Sequence, residues 1–413
     1  LIFVAIKLIS KIMKNSFLFS LVMFAFTFGV KAQQGVDEIS FGKGLLNYTA
    51  SDQSFSVKFA PRFQLRQYAS WDANDSGYDD AQYGFLVRRA RLKFDGYAYS
   101  PKLRYKIELG LSNNDLSGVN AFTKNAPNQI LDAVIMWSFA ENWEFWAGQT
   151  KLPGNVERVV SSANLQLIDR SLLNSRFNID RDLGIQLRHT SKWTNKFVTR
   201  EKFALSQGEG RNVTVGNQGG LQYTARFEVL PFGTFEKKGD YSNADLVREA
   251  TPKVMLSYTY NLNNDAVKTR SGMGSYMVLD NGLLYQTDIA TTFVDLMFKY
   301  NGISSMIEYA KRASDQAVAV NPDGSESGDI VLDGTAFNAQ IGYLFKNNVE
   351  LVGRYTNVDY AAITKQEDLK QYTLGISKYI LGHKLKVQAD VVKTLVGGTT
   401  DNVQFRSGLE LHF

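Results

Sequence analysis

The residues best placed to do chemistry in this chain are basic, and they recur at even spacings. Lys58, Arg62 and Arg66 form one series, Arg89, Arg91 and Lys93 a second, and Arg104 and Lys106 a third. Even spacing puts side chains on one face of an extended chain. Each series is therefore a row of cations. Such rows along a confined water path concentrate small anions and pass them from site to site. Arginine suits phosphate, because its fork of donors matches two oxygens at once. The competing reading is structural, with these bases pairing acids on the same wall. Glu108, Asp132, Glu228, Asp295, Glu308, Glu350, Asp390 and Glu410 are available for that. In the first three series, however, the bases face only Asp95 and Glu108.

Enzymatic chemistry finds little to work with. A Ser–His catalyst needs a histidine beside its nucleophile. The only histidines are His189, His383 and His412, and the alternation below places all three toward one rim. The absence of Cys excludes disulfides, thiolate zinc sites, iron–sulfur clusters and a Cys nucleophile. Neither a P-loop nor a G-x-S-x-G elbow occurs. Nothing calls for a cofactor or a metal.

The elements that position the basic rows are strands. Phe55, Val57, Phe59, Phe63, Leu65, Ala69 and Trp71 alternate with Lys58, Arg62, Gln64, Arg66 and Ser70. A period of two gives one apolar and one polar face. Pro61 falls within this run, where a strand tolerates it only at an edge or a bulge. Leu103 to Leu111, Leu221 to Val229, Leu385 to Val391 and Val403 to Phe413 repeat the pattern. In all, about sixteen such segments are spread over the chain, a number and length that fit a membrane barrel. Short connections (Ser100-Pro101, Glu141-Asn142, Asn301-Gly302, Lys346-Asn347, Leu381-Gly382) alternate with long ones, including 152–180, 261–287, 312–334 and 395–401. Barrels of this kind have short periplasmic turns and longer external loops. Residues 231–250 break the rule, being long on the periplasmic side, with a small helix expected around Asn243 to Glu249. The expectation is an all-β, sixteen-stranded antiparallel transmembrane barrel over 54–413, closed by the terminal Phe413, after a short segment at 33–53. Trp143 and Trp146 fall on opposite faces of one strand, so they do not form an aromatic slide.

The N-terminus reads as an export signal. Lys14 follows Met13, Phe17 to Val30 are nearly all apolar, and Val30-Lys31-Ala32 supplies a small-residue cleavage site. Residues 1–12 read as an upstream extension and 13–32 as the signal. This segment also explains the charge. The formal net charge is +5, but Lys7, Lys11, Lys14 and Lys31 lie in 1–32 with no acid, leaving 42 basic and 41 acidic residues. Nucleic acid is thereby excluded as a partner. External acids, among them Asp72, Asp75, Asp79, Asp80, Asp315 and Asp323, read as solvated loop residues, with bridging ions to lipopolysaccharide as the alternative.

The opening FGKGLLNYTASDQSFSVKFAPRFQLR, the run FLVRRARLKFDGY, and GQTKLPGNVERVVSSANLQLIDRSLLN followed by RDLGIQL resemble the phosphate-selective porin O and P family, with a lean toward its Bacteroidota-type members. The resemblance covers nearly all of 41–413. It implies an outer-membrane barrel, usually a trimer, in a Gram-negative bacterium. It also implies a third external loop folded into the lumen, whose basic residues bind phosphate. By position that loop leaves at Gln149 to Pro153 and returns at Arg181, with Lys151, Arg158, Arg170 and Arg176 as its bases. A connection of this length by itself calls for a function. Glu157, Asp169, Asp180 and Asp182 lie in or beside it, and two roles stay open for them: to position the bases or to cancel their selectivity. The functional expectation is a passive channel for small anions, phosphate or polyphosphate first. A general or sugar-type diffusion porin is the alternative, and an adhesive barrel a more distant one.

Overall fold

The computed structural model describes residues 41–413 except Asn195; the expected signal lies outside the described residues. The strands are β1 (Leu46–Thr49), β2 (Phe55–Phe59), β3 (Arg62–Asn74), β4 (Gly77–Tyr78), β5 (Gln82–Ala98), β6 (Ser100–Gly110), β7 (Ile130–Ala140), β8 (Trp143–Lys151), β9 (Arg181–Lys192), β10 (Val198–Ser206), β11 (Gln222–Leu230), β12 (Lys253–Ala266), β13 (Lys268–Arg270), β14 (Met273–Tyr276), β15 (Thr287–Tyr300), β16 (Ile303–Ser314), β17 (Val318–Val320), β18 (Glu326–Ile330), β19 (Gly334–Leu344), β20 (Val349–Tyr360), β21 (Leu369–Leu381), β22 (Leu385–Val396) and β23 (Thr399–His412). Sixteen of them form one antiparallel cycle: β3, β5 to β12, β15, β16 and β19 to β23. The cycle closes where β23 pairs with β3, from Asn402 opposite Asp72 to His412 opposite Arg62.

Alternation sorts the side chains. Tyr83, Phe85, Ile341 and Leu374 are each more than 60% exposed on the outer face. Water would not tolerate so much bare apolar surface, whereas hydrocarbon matches it. Trp137, Phe139 and Trp143 adjoin one another near a turn, as do Tyr343 and Phe345. The terminal Phe413 packs edge-on against Phe41 at 5.5 Å. These are the aromatic girdle of a membrane barrel.

Pro61 sits at a hand-over. β2 and β3 both pair with β5, and the register is unbroken across the join, Phe59 opposite Phe94 and Arg62 opposite Arg91. On the other side, the partner changes from β1 to β23 at this point. No ladder bond is lost where the proline lacks its N–H.

Two expectations about connections need correction. Residues 395–401 do not form a long loop; Gly397-Gly398 joins β22 to β23 directly, both with positive φ (56° and 89°). Two left-handed residues suit a tight hairpin between twisted strands. Nor is there a helix at 243–249. A kinked 3-10 turn spans Glu236–Tyr241 instead. Beyond it, Ala244 and Arg248 have positive φ, and Asp245 accepts from Glu249 N and from Gly302 N at 2.7 Å. Asp245 is thus committed to anchoring the segment to the wall. The segment turns up into the barrel rather than hanging below it: Phe235 packs with Leu230, Met255 and Met297, and Lys299 donates to Ala244 O.

Candidate functional site

The third external loop, 152–180, lies inside the barrel. Leu152, Leu173, Phe177 and Ile179 pack on Ala204, Phe293, Ala310, Ala336 and Val358, which face inward from β10, β15, β16, β19 and β20. Val156, Val160 and Leu165 pack on Met255, Met297 and Met306. The wall behind the loop carries these apolar side chains on its lumen face among polar ones such as Asp295 and Glu308, and burying them favours the folded-in loop. Glycines make room for it. A Cβ on Gly375 would stand 2.3 Å from Leu167, and one on Gly342 would stand 2.4 Å from Gln166.

Polar contacts then fix the loop. Glu308 accepts from Asn155 Nδ2 at 3.0 Å and Glu157 N at 2.8 Å. Lys386 and Gln388 donate to the carbonyls of Leu165 and Gln166. Asp169 accepts from Arg66, from Arg88 at 3.0 Å and from Arg406 at 3.3 Å, while Arg354 donates to its carbonyl at 2.9 Å. Burial alone would raise the Asp169 carboxyl, but Arg406, Arg88 and Arg66 together hold it well below the usual carboxylate range.

The loop fills one side of the lumen and leaves a space of about 250 Å³ against β5 to β10. Its lining holds eight bases and two acids. From the wall come Arg91, Lys106, Arg181, Arg188 and Lys202, with Glu108 and Asp132; from the loop side come Lys151, Arg158 and Arg170. Lys106 bridges Glu108 at 3.0 Å and Asp132 at 2.8 Å. Arg181 holds Asp132 with two donors at 3.2 and 3.1 Å. Arg91 reaches Glu108 at 3.1 Å and Asp115 at 2.9 Å. Arg158 pairs with Asp180.

Lys202 pairs with Glu228, whereas Lys151, Arg170 and Arg188 have no carboxylate partner among the described residues. Lys151 donates to the carbonyls of Arg158, Val159 and Val160 at 2.7, 3.3 and 3.2 Å, which uses all three ammonium protons. Arg170 donates to Glu157 O at 2.9 Å and Val160 O at 2.7 Å. Arg188 lies 3.7 Å above the Trp146 ring and donates only to Gln186. Nη1 of Arg158, Arg170 and Arg188 carries no hydrogen bond among the described residues. Burial and the neighbouring cations, Arg170 first, push the Arg158 guanidinium below its ordinary value. Such crowding of cations favours an anion between them.

The twelve bases named from the sequence are distributed as follows. Arg91, Lys106, Lys151, Arg158 and Arg170 meet in this space. Arg62 and Arg66 instead hold the loop, through Ser162 and Asp169, and Arg62 also pairs with Glu410. Arg89 is buried and donates to Gln64. Lys58, Lys93 and Arg104 stand outside the space, Lys93 paired with Asp95 and Arg104 with Glu144. Arg176 is exposed at the end of the helix Leu172–Phe177. Lys202 and Tyr241 line the space and were not among the residues named from the sequence. Neither was Arg88. Gln64 pairs with Arg89 but Leu65 with Val87, so β5 bulges and turns two consecutive arginines inward. The apolar positions change parity there, odd through Val87 and even from Ala90, and that shift was the available signal.

Among the described residues no catalytic constellation accompanies these bases. Ser242 Oγ lies 3.0 Å from His383 Nε2, but His383 Nδ1 is buried without a partner, so no carboxylate orients the ring. His189 stacks on Trp143 at 4.2 Å on the outer face, and Trp146 faces the lumen.

The sequence model of the phosphate-selective porin O and P family matches residues 63–404. The chain belongs to that family. It is an outer-membrane porin, a channel and not an enzyme. A search of curated proteins found no significant match. Among solved structures, this porin is similar to the outer membrane channel DcaP of Acinetobacter baumannii, at 14% identity and TM-score 0.56, covering 89% of this chain and 100% of that one. It is also similar to OmpF of Salmonella typhi in complex with daunomycin, at 10% identity and TM-score 0.55, covering 89% and 100%. An anion-selective porin from Comamonas acidovorans aligns at 12% identity and TM-score 0.51, covering 87% and 100%. At these identities the likeness is one of fold, and it places this porin on the sixteen-stranded frame.

Proposed function

We propose that this porin is a passive channel for small anions, with inorganic phosphate and polyphosphate foremost. The observation that carries the reading is the eight-to-two excess of bases over acids where the third loop narrows the lumen. Anions gain from the field there, and the open Nη1 groups offer weak successive sites that a solute can leave again. The same reading includes a homotrimer, contact of the outer rim with lipid and lipopolysaccharide, and export by a signal over 13–32. The test is a planar bilayer with a potassium chloride gradient. Anion selectivity and inhibition of chloride current by phosphate are expected; cation selectivity or indifference to phosphate would overturn the reading.

The pairing of wall bases with acids, as in Arg62–Glu410, Arg66–Asp169 and Lys106–Asp132, supports a second reading: a general diffusion porin without phosphate selectivity. Liposome swelling at equal rates in neutral sugars and in phosphate would favour it.

A further inference from the structure

The space beside the third loop carries more carbon than an inorganic anion needs. Met136 and Trp146 face the lumen as register partners on β7 and β8, and Val134 is the next inward residue on β7. Val159 from the loop and Tyr241 from the segment after β11 line the same space. The inward face of a water-filled barrel is ordinarily polar. Val134 and Met136 are absent from the clusters that dock the third loop, so loop packing does not account for them. Trp146 is held rigidly, with Arg188 across one face and its N–H on Glu144 at 2.9 Å. Apolar surface and open guanidinium donors therefore share one site.

We infer that, beside inorganic anions, this channel takes organic carboxylates and favours those with a flat apolar body, of which benzoate is the simplest, over carboxylates of equal charge without one. The inference rests on the anion-channel reading and adds a class of organic substrate to it. The carboxylate exchanges water for the open donors of Arg158, Arg170 and Arg188, while the ring covers Met136, Val134 and Val159 and releases their water.

Block of chloride current by potassium benzoate and by potassium acetate, which carries the same charge without the ring, tests it in the purified full-length channel. Benzoate should half-block at a concentration about tenfold below that of acetate. Met136→Thr and, separately, Val159→Thr should bring the two within about twofold; the second lies on the loop, so a folding defect in a β7 variant does not leave the question open. Equal block in the unaltered channel, or a benzoate preference that survives both substitutions, overturns the inference. The zero-current potential in potassium chloride alone reports on the anion reading separately.

Discussion

Arg88 Nε donates to Asp169 Oδ1 at 3.0 Å, joining a bulged wall strand to the third loop. Without the bulge one of Arg88 and Arg89 would face lipid, where an arginine costs about 2–4 kcal/mol at mid-membrane. With it, Arg88 joins Arg66 and Arg406 around one carboxylate.

Replacing that carboxylate should loosen the loop. Asp169→Asn leaves three guanidinium groups short of a charge, and the expected cost is about 2–3 kcal/mol, less than for a fully buried pair because water reaches the cluster. The temperature of the heat-modifiable gel shift should fall, and single-channel conductance should become larger and noisier. Unchanged values in both would show that apolar packing alone holds the loop.

Selectivity should follow the lining. The double substitution Arg158→Glu and Arg170→Glu removes two cations and adds two anions beside the open space. Chloride should change from the more to the less permeant ion, read as a reversed sign of the zero-current potential. A retained sign would locate the selecting field elsewhere.

Lys151 should behave differently, as a staple. Its three carbonyl acceptors lose their donor in Lys151→Met, at an expected cost of about 1–3 kcal/mol. Stability should fall more than selectivity shifts, and Lys151→Arg should recover part of the loss.

The external mouth should respond to pH. Lys268 lies 4.4 Å from the Tyr276 ring centroid, and burial lowers its pKa to about 8 despite Glu209 and Asp182. The ammonium is charged below that value and neutral above it, so chloride conductance at low salt should fall as pH rises through about 8. Lys268→Arg should flatten the profile. Because the folded pKa lies below the ordinary value for lysine of about 10.4, the fold favours the neutral amine, and its stability should gain across that interval as pH rises.

The barrel was legible because each strand obeys one rule, period two, and lipid enforces that rule on the outer face. The rule is weaker inside. β15 carries Ile289, Phe293 and Met297 on its lumen face, so both faces read as apolar, and that was the mark of the wall that receives the loop. Arg88 escaped because alternation carried back from Lys93, Arg91 and Arg89 sends it outward. The partners of Arg66 and Arg406 escaped because Asp169 reaches them from far along the chain, a closeness that no local pattern encodes. Residues 231–250 escaped for the same reason: their bonds go to Asn164 O, His383 and the carbonyl of Phe345.

The clamp on the third loop also ties the aperture to the closure of the ring. Ile168 N donates to Asp390 on β22 at 3.2 Å, and Arg406 on β23 completes the shell around Asp169. The Ile168–Asp390 contact spans 222 residues of chain, and the loop it secures leaves the wall at Lys151. A sheet not closed between β23 and β3 has a wall but no set aperture. Sealing the ring and narrowing the pore are therefore one event in this geometry, because the strand that completes the sheet also holds the loop.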